Sequence, residues 1–435
     1  MTKNIFVVGL DPFNHRKLTP VAEKKGYAIH PLLDVNDLKQ RDSLPIETLL
    51  GKAKDILRTF PGNVDAIVGY WDFPVTCMAP YLSKHMGLPA PSFESVLKCE
   101  NKYWCRLEQS KVIQEHPRFC VFNPFDGNAL TKITLNYPFW IKPIKAYASQ
   151  LGFRIHNAKE FQASVEKIRK GIALFADPFT FFLKQVDLPQ EIAHVSGEYC
   201  LAEQIITGRQ CTLEGYVWNG EVVVYGVVDS IREPNRSTFA RYEYPSRLPK
   251  HVQERMIAIA RKIMTHLRYD NAPFNIEMFY DEHQDKIWLL EINPRISQSH
   301  CDLFEKVDGA SHHEIMIDLA LGNKPDFPHR KGAFGCAAKF FFRAHEDGVV
   351  TSVPTEEDIE RVKTLFPGTL TNIHIKTGMR PSDLLYQESY SYELGYVYMG
   401  AKNQHELLEN HRKALEYLRF EIAHPETMAY KGSKD

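Results

Sequence analysis

Glu291, Asn293 and Arg295 recur at alternate positions in the stretch KIWLLEINPRIS, Lys286 to Ser297. Side chains on an extended strand alternate between faces, so a carboxylate, an amide oxygen and a guanidinium emerge together. Trp288 and Leu290 share the other parity, with Ile292 close by. A strand that only packs a core has no use for that polar set; a site holding a hard cation and an anion does. Upstream, FNIEMF places Asn275 and Glu277 on one parity. Folded back as an antiparallel hairpin over residues 273–293, the two segments bring Glu277 close to Glu291. Two carboxylates and an amide oxygen suit Mg2+, which takes oxygen donors and keeps substrate phosphates as further ligands. The cation also removes the repulsion between neighbouring acids. Alone, the pattern E-x-N-x-R fits a solvent-facing strand edge with incidental acids. The matching acid on a partner strand raises it above that.

Lys142 ends the strongly apolar FWIK, where a lysine calls for an anion. The small-residue loop AYASQLG follows, containing Ser149 and Gly152, and such loops close over phosphates through backbone N–H groups. The competing reading is a plain hairpin turn beside a lysine whose stem is buried and whose head reaches water. In LAEQIITGRQ, Glu203 precedes an extended apolar stretch that can present backbone donors and acceptors to a base edge, although the same acid also fits a surface position. The segment DSIREPNRSTFARYEYPSRLP, 229–249, carries Arg232, Arg236, Arg241 and Arg247 without a clear period. It reads as a cover over the site or as a solvated loop. His312 and His313 are adjacent and lack the HExxH spacing, which argues against zinc. Nothing in their spacing makes His300 and Cys301 a base and nucleophile.

These groups need elements to position them. Residues 1 to 92 alternate strand and helix: NIFVVGL, VDAIVGY and the end of LTPVAEKKGYAIHPL read as strands. PIETLLGKAKDILRTF and APYLSKHMGLP read as helices. Such βαβ alternation implies a parallel sheet, whose strand ends line a crevice. That makes Asp11 and the triplet Tyr70, Trp71 and Asp72 candidates, against the alternative that Trp71 packs and Asp72 caps the next helix. With only Gly9 after the first strand, the GxGxxG fingerprint of a dinucleotide domain is missing. The middle, 93–325, carries strands at YPFWIKP, FRIHN and YCLAEQII and a hairpin turning at Asn219-Gly220. The amphipathic helix HVQERMIAIARKIMTHLRY follows, then the acid-bearing hairpin. A further helix has Ser311 and Glu314 spaced as a capping box, with Gly322 at its end. Residues 326–425 hold short strands and a closing helix.

A chain of 435 residues is more than one core usually serves. Hydrophobic content of 44% and charged content of 25% are ordinary for a soluble globular protein. The net charge of −1 argues against broad binding of nucleic acid. No segment reaches the roughly 18 uncharged apolar residues of a membrane span, and the start of the chain reads as a strand instead of a leader. Eight scattered cysteines with no CxxC pair point to reduced thiols in the cytoplasm, not to a disulfide or zinc scaffold.

Taken in order, the motifs resemble the ATP-grasp superfamily, of the carboxylate–amine, L-amino acid (dipeptide) ligase type. LKCENKYWCR resembles the segment that opens the fold, with Lys102 at its lysine and Asn101 where aspartate is usual. PFWIKPIKAYASQLGF resembles the second ATP lysine, Lys142, and the phosphate loop with Ser149 and Gly152. CLAEQIITGRQ resembles the adenine hinge, which implies Glu203, Gln204 and Ile206 at the base. FNIEMF and LLEINPR resemble the metal and phosphate motif, which implies Mg2+, with Mn2+ a close substitute, on Glu277, Glu291 and Asn293, and an anion on Arg295. Two departures stand out: Gln210 occupies the position of the usual ribose acid, and the phosphate loop has one glycine. The resemblance implies an N-terminal Rossmann-like domain (1–92) and an ATP-grasp domain (93–325, with a small subdomain at about 133–210). A C-terminal lid-type subdomain (326–425) follows. It also implies ATP, small-molecule carboxylate and amine substrates, ADP release and a homodimer, without a nucleic-acid or membrane partner. A biotin-carboxylase-like enzyme and a nucleotide-binding regulatory protein with little turnover are the alternatives.

Overall fold

Alternation of strand and helix at the start of the chain produces the expected parallel sheet. The computed structural model describes residues 2–38, 43–147, 150–234, 238–384, 387 and 391–423. β1 (Lys3–Val8), α1 (Pro12–Lys25), β2 (Tyr27–Leu32), α2 (Ile46–Thr59), β3 (Ala66–Val68) and α3 (Val75–His85) follow one another. The strands order as β2-β1-β3, all parallel. α2 turns Leu49, Ala53 and Leu57 inward as its helical spacing predicts; Leu50 is buried as well, and Ile56 is half-buried.

Next come α4 (Phe93–Glu100), α5 (Lys102–Val112), β4 (Phe119–Phe122), β5 (Phe139–Pro143), β6 (Phe153–Ile155), α6 (Ala158–Gly171), α7 (Ala173–Leu183), α8 (Gln190–Ala193) and β7 (Cys200–Gln204). Their strands form an antiparallel sheet in the order β4-β7-β5-β6. Phe161, Val165 and Ile168 of α6 pack with Phe139 and Ile141 of β5 in its core.

β8 (Arg209–Trp218) and β9 (Glu221–Arg232) are joined at Asn219 and Gly220, with φ of +49° and +79°. This is the two-residue turn expected of an Asn-Gly pair. β10 (Phe239–Tyr244), α9 (Lys250–Leu267), β11 (Ala272–Asp281), β12 (Lys286–Asn293), α10 (Cys301–Asp308) and α11 (His313–Ala320) complete the middle. α9 buries Val252, Met256, Ala260, Ile263 and Leu267 as its period requires. α11 lacks the expected capping box. His312 stands at its N-cap and makes no side-chain capping bond, and the Ser311 hydroxyl meets His313 Nδ1 at 2.8 Å. The rest is β13 (Cys336–Ala344), β14 (Val349–Ser352), α12 (Glu356–Leu365), β15 (Leu370–Ile373), β16 (Tyr392–Ala401), α13 (Gln404–Ala414) and β17 (Glu421–Ala423).

The chain divides into two compact units. The first comprises Met1–Val227, Leu248–Gln298 and Ser311–Phe327. It contains the parallel sheet, the β4-β7-β5-β6 sheet, and antiparallel strands in the order β12-β11-β8. Its largest core runs from α2 and α3 through α9 to Phe274, Ile276 and Met278 of β11. The second comprises Val228–Arg247, Ser299–Ala310 and Pro328–Asp435. Within it β10, β13, β16 and β15 pair antiparallel in that order, over a core that includes Phe340, Phe342, Val397 and Leu407.

Candidate active site

Strict alternation along β12 would put Glu291 on the same face as Ile287 and Leu289, both in the core. The pairing of β11 with β12 prevents this. Met278 stands opposite Leu289 and Glu277 opposite Glu291, so Leu290 is an extra residue, a β-bulge. A bulge re-aims the side chains beyond it. Leu290 therefore does not share the clean parity with Trp288 that the sequence suggests. Ile292 joins the core, and Glu291 and Asn293 turn to the other face. The carbonyl of Leu290 is held by Arg106 Nη2 at 2.6 Å.

Two polar rows then cross the sheet on that face. In one, Glu214 of β8 stands opposite Asn275, and Asn275 opposite Asn293. In the other, Thr212 stands opposite Glu277, and Glu277 opposite Glu291. Gln210 reaches diagonally and donates from Nε2 to Glu277 Oε2 at 2.8 Å. Asn293 Nδ2 donates to Asn275 Oδ1 at 3.1 Å and lies 3.5 Å from Glu277 Oε1. Its amide nitrogen thus faces the protein and its oxygen turns the other way.

Three lysines stand around these acids. Lys102 is the first residue of α5, fixed there because Asn101 caps the helix, accepting from Tyr103 N and Trp104 N. Its ammonium donates to Ala146 O at 2.8 Å and lies 3.5 Å from Glu291 Oε1. Lys142 of β5 lies 2.6 Å from Glu203 Oε2, and Arg106 Nε donates to Glu203 Oε1 at 2.6 Å. Lys145 pairs with Glu100 and covers the ring of Phe73. Burial alone would raise Glu291, but Lys102, Lys142 and Lys145 outweigh it and hold its carboxyl below the usual range. Burial likewise opposes ionisation of Glu203, yet Arg106 and Lys142 pull it down to about 2. Lys102 is lowered, chiefly by burial, with Lys145 and Lys142 adding repulsion. Burial works against Lys145 as well, but Glu100 prevails and raises it.

Arg295 extends the site toward the end of β3. Its Nε and Nη2 both donate to Asp72 Oδ1, at 2.8 and 2.5 Å. Asp72 keeps 40% of its side-chain surface, yet the burial around it opposes ionisation; Arg295 overrides that and lowers it. Asp72 does not cap α3, whose N-cap is Pro74 without a side-chain bond. The other candidates near the first sheet are structural. Asp11 accepts from Phe13 N, Asn14 N and the Tyr70 hydroxyl, and Trp71 Nε1 donates to Gly9 O at 2.8 Å.

The chain leaves β7 with Gln204 N bonded to Arg118 O at 2.8 Å, and Ile206 is half-buried. It enters β8 through Gly208 at φ +124°, where a Cβ would lie 2.3 Å from Tyr280 O, so only glycine fits. Gly152 is buried just before β6, while Ser149 and Arg236 lie outside the described residues. Two placements differ from what the sequence suggests. The Glu203 carboxylate is enclosed by two cations, and Gln210 is 5% exposed and braces Glu277. Sequence reasoning passed over Lys145, Glu100, Arg106 and Glu214. A signal existed for Arg106, which follows Lys102 by one helical turn; Glu214 and Glu100 carried none.

The donor set suits a small divalent cation. Glu277 and Glu291 offer hard oxygens, Asn293 is turned so that its oxygen points away from the protein contacts, and neighbouring lysines can meet phosphate. Among the described residues no group of three or more His, Cys, Asp or Glu gathers closely enough to hold a metal. A cation here depends on two acids, one amide and a ligand's own oxygens. No helix among the described residues is long and apolar enough to cross a membrane.

Comparison with known proteins gives the same outline. Residues 135–302 match the model of the ATP-grasp domain. A stretch of 115 residues is 30% identical to the carbamoyl phosphate synthase large chain, C-terminal section, of Methanopyrus kandleri, covering 25% of this chain and 21% of that protein. The chain thus spans about a fifth of the length of that curated relative. Among solved structures, an L-amino acid ligase from Bacillus licheniformis superposes with a TM-score of 0.72 at 15% identity, over 97% of this chain and 99% of that one. The biotin carboxylase domain of the Hydrogenobacter thermophilus 2-oxoglutarate carboxylase, solved with MgADP and bicarbonate, gives 0.66 at 14%, over 97% and 91%. These likenesses establish the fold.

Proposed function

We propose, for a chain that carries an ATP-grasp domain, ATP-dependent ligation of a small-molecule carboxylate to an amine, the substrates being amino acids. The observation that carries this reading is the opposed pair Glu277 and Glu291, with Asn293 beside it, under the charges of Lys102, Lys142 and Lys145. In that reading Glu277, Glu291 and Asn293 hold Mg2+, which neutralises phosphate oxygens when bound. Lys102 and Lys142 fix the phosphates, the hinge at Gln204 and Ile206 meets the adenine, and Gly152 with Ser149 belongs to the loop over the phosphates. Arg295 neutralises the carboxylate and the charge that develops on it.

The chemistry follows from positioning. A carboxylate oxygen bonds to the γ-phosphorus as the bond to the ADP oxygen breaks, giving an acyl phosphate and ADP. The amine nitrogen then bonds to the acyl carbon, phosphate leaves with the C–O electron pair, and the nitrogen gives up a proton. Acyl phosphates hydrolyse, so water must be kept out while both steps proceed. The likeness in fold to an L-amino acid ligase supports amino-acid substrates. All eight cysteines are free, which supports a reducing, cytoplasmic setting. A homodimer completes the reading.

The test is ADP and phosphate release, with product identified by mass, across a panel of amino-acid pairs. A pair that releases ADP in step with a new amide supports the reading. Mg·ATP binding without ADP release from any pair, and without bicarbonate-dependent turnover, would favour a regulatory nucleotide binder.

A further inference from the structure

Glu214 lies in the middle of β8, is 0% exposed, and stands two strands away from Asn293 in the same row. Buried carboxylates are costly unless bonded. This one is bonded in a way that reaches the metal set. Its Oε1 accepts from Asn275 Nδ2 at 2.6 Å, and its Oε2 faces Ser297 N at 3.4 Å.

Asn275 donates from Nδ2 to Glu214 Oε1, so the face of Asn275 turned toward Glu214 is its NH2. The opposite edge, Oδ1, then points along the row at Asn293. There it can only accept, so Asn293 presents its own NH2, at 3.1 Å. Each amide has one donor edge and one acceptor edge, and the choice at one end fixes the other. Asn275 and Asn293 are 2% and 8% exposed, so water is poorly placed to substitute for either contact. Register makes the chain possible: Glu214, Asn275 and Asn293 stand directly opposite one another on three successive strands.

We infer that Glu214 is a positioning residue for the metal site, setting the amide orientation of Asn293 through Asn275 so that the Asn293 oxygen faces the cation. This rests on the metal assignment of the preceding subsection. Without Glu214, Asn275 can turn over and present its NH2 to Asn293; only the longer 3.5 Å contact of Asn293 Nδ2 to Glu277 Oε1 then opposes its reversal, which offers the cation a donor edge.

The experiment measures Mn2+ affinity by electron paramagnetic resonance on the full chain with a non-hydrolysable ATP analogue, alongside the thermal midpoint of the nucleotide-free protein. Glu214→Met should weaken Mn2+ binding by about 10–100-fold, the range for groups that orient metal ligands. Glu214→Gln keeps an oxygen for Asn275 and should retain affinity to within about threefold, well short of that range. Asn275→Ala, which shortens the chain at its middle, serves if Glu214→Met does not fold. It should weaken Mn2+ similarly, and where both fold, the double variant should be no weaker than the worse single. A folded Glu214→Met or Asn275→Ala with wild-type Mn2+ affinity, or losses that multiply in the double variant, would overturn the inference while leaving the metal site standing. Wild-type protein that binds no Mn2+ with the nucleotide would remove the metal assignment, and this inference with it.

Discussion

Glu277 and Glu291 stand directly opposite each other on β11 and β12 because Leu290 bulges out of the pairing between them. Paired like charges across a sheet are destabilising, and here lysines offset them. Replacing Glu291 by alanine removes a proposed ligand and exposes Lys102 to Lys142 and Lys145 without their shared acid. Glu291→Ala should lower affinity for Mg2+ with nucleotide on the order of 100-fold, at the upper end of metal-site effects, and abolish turnover. Calorimetric titration checks the first, ADP release the second. Normal turnover would remove Glu291 from the metal set.

Glu203 gives a pH signature. Its folded value is about 2 against an ordinary 4.5, so its contribution to stability is full above pH 4.5 and is lost as pH falls toward 2. Glu203→Gln leaves Arg106 and Lys142 without their acid, which costs about 3–5 kcal/mol at neutral pH for a buried pair. The variant should also lack the part of the acid limb that wild-type protein shows below pH 4.5. Urea melts at a series of pH values measure both. Equal stability at pH 7 would mean that the pair contributes nothing net.

Arg106 bridges Glu203 and the carbonyl of the bulged Leu290 with separate nitrogens. Lysine has one nitrogen on a flexible stem and cannot span both. Arg106→Lys should destabilise by on the order of 3 kcal/mol, as for a broken buried pair, and raise the KM for Mg2+ as the bulge loosens. A stable variant whose KM for Mg2+ is unchanged would show that the bulge holds itself.

Arg295 is paired to Asp72, whose side chain keeps 40% of its surface. Water can therefore replace the guanidinium on that carboxylate, and Arg295→Ala should shift the thermal midpoint little. Turnover should drop by about 100–1,000-fold, the effect of losing one charge-stabilising donor, with the KM for ATP nearly unchanged. A rise in the KM for ATP with kcat preserved would place Arg295 on the nucleotide instead.

Ligand linkage offers a check that needs no substrate. Mg2+ with ATP at a hundredfold excess over Kd should stabilise the folded chain by about 2.7 kcal/mol. Chelating the cation should remove most of the shift if Glu277, Glu291 and Asn293 are what the nucleotide docks against. A shift that survives chelation would assign nucleotide binding to the lysines alone.

The sequence determined the elements and the types of residue at the site. Periodicity marked α9 and the opening strands, Asn219-Gly220 marked its turn, and the paired motifs around Glu277 and Glu291 marked their hairpin. These are local properties, written in side-chain spacing and backbone preference. Three things were decided only by tertiary structure. The bulge at Leu290 is a matter of how one strand fits another, and period-2 reasoning along a single strand cannot see it. Glu203 and Gln210 look like groups waiting for a ligand until packing brings Arg106, Lys142 and Glu277 against them. Glu214 stands in a long apolar-flanked strand with nothing nearby in sequence to give it a role. Its partners Asn275 and Asn293 arrive from strands 61 and, beyond that, 18 residues further along the chain. Spacing names the atoms that can bind; only the register between distant strands settles which edge of each one faces the ligand.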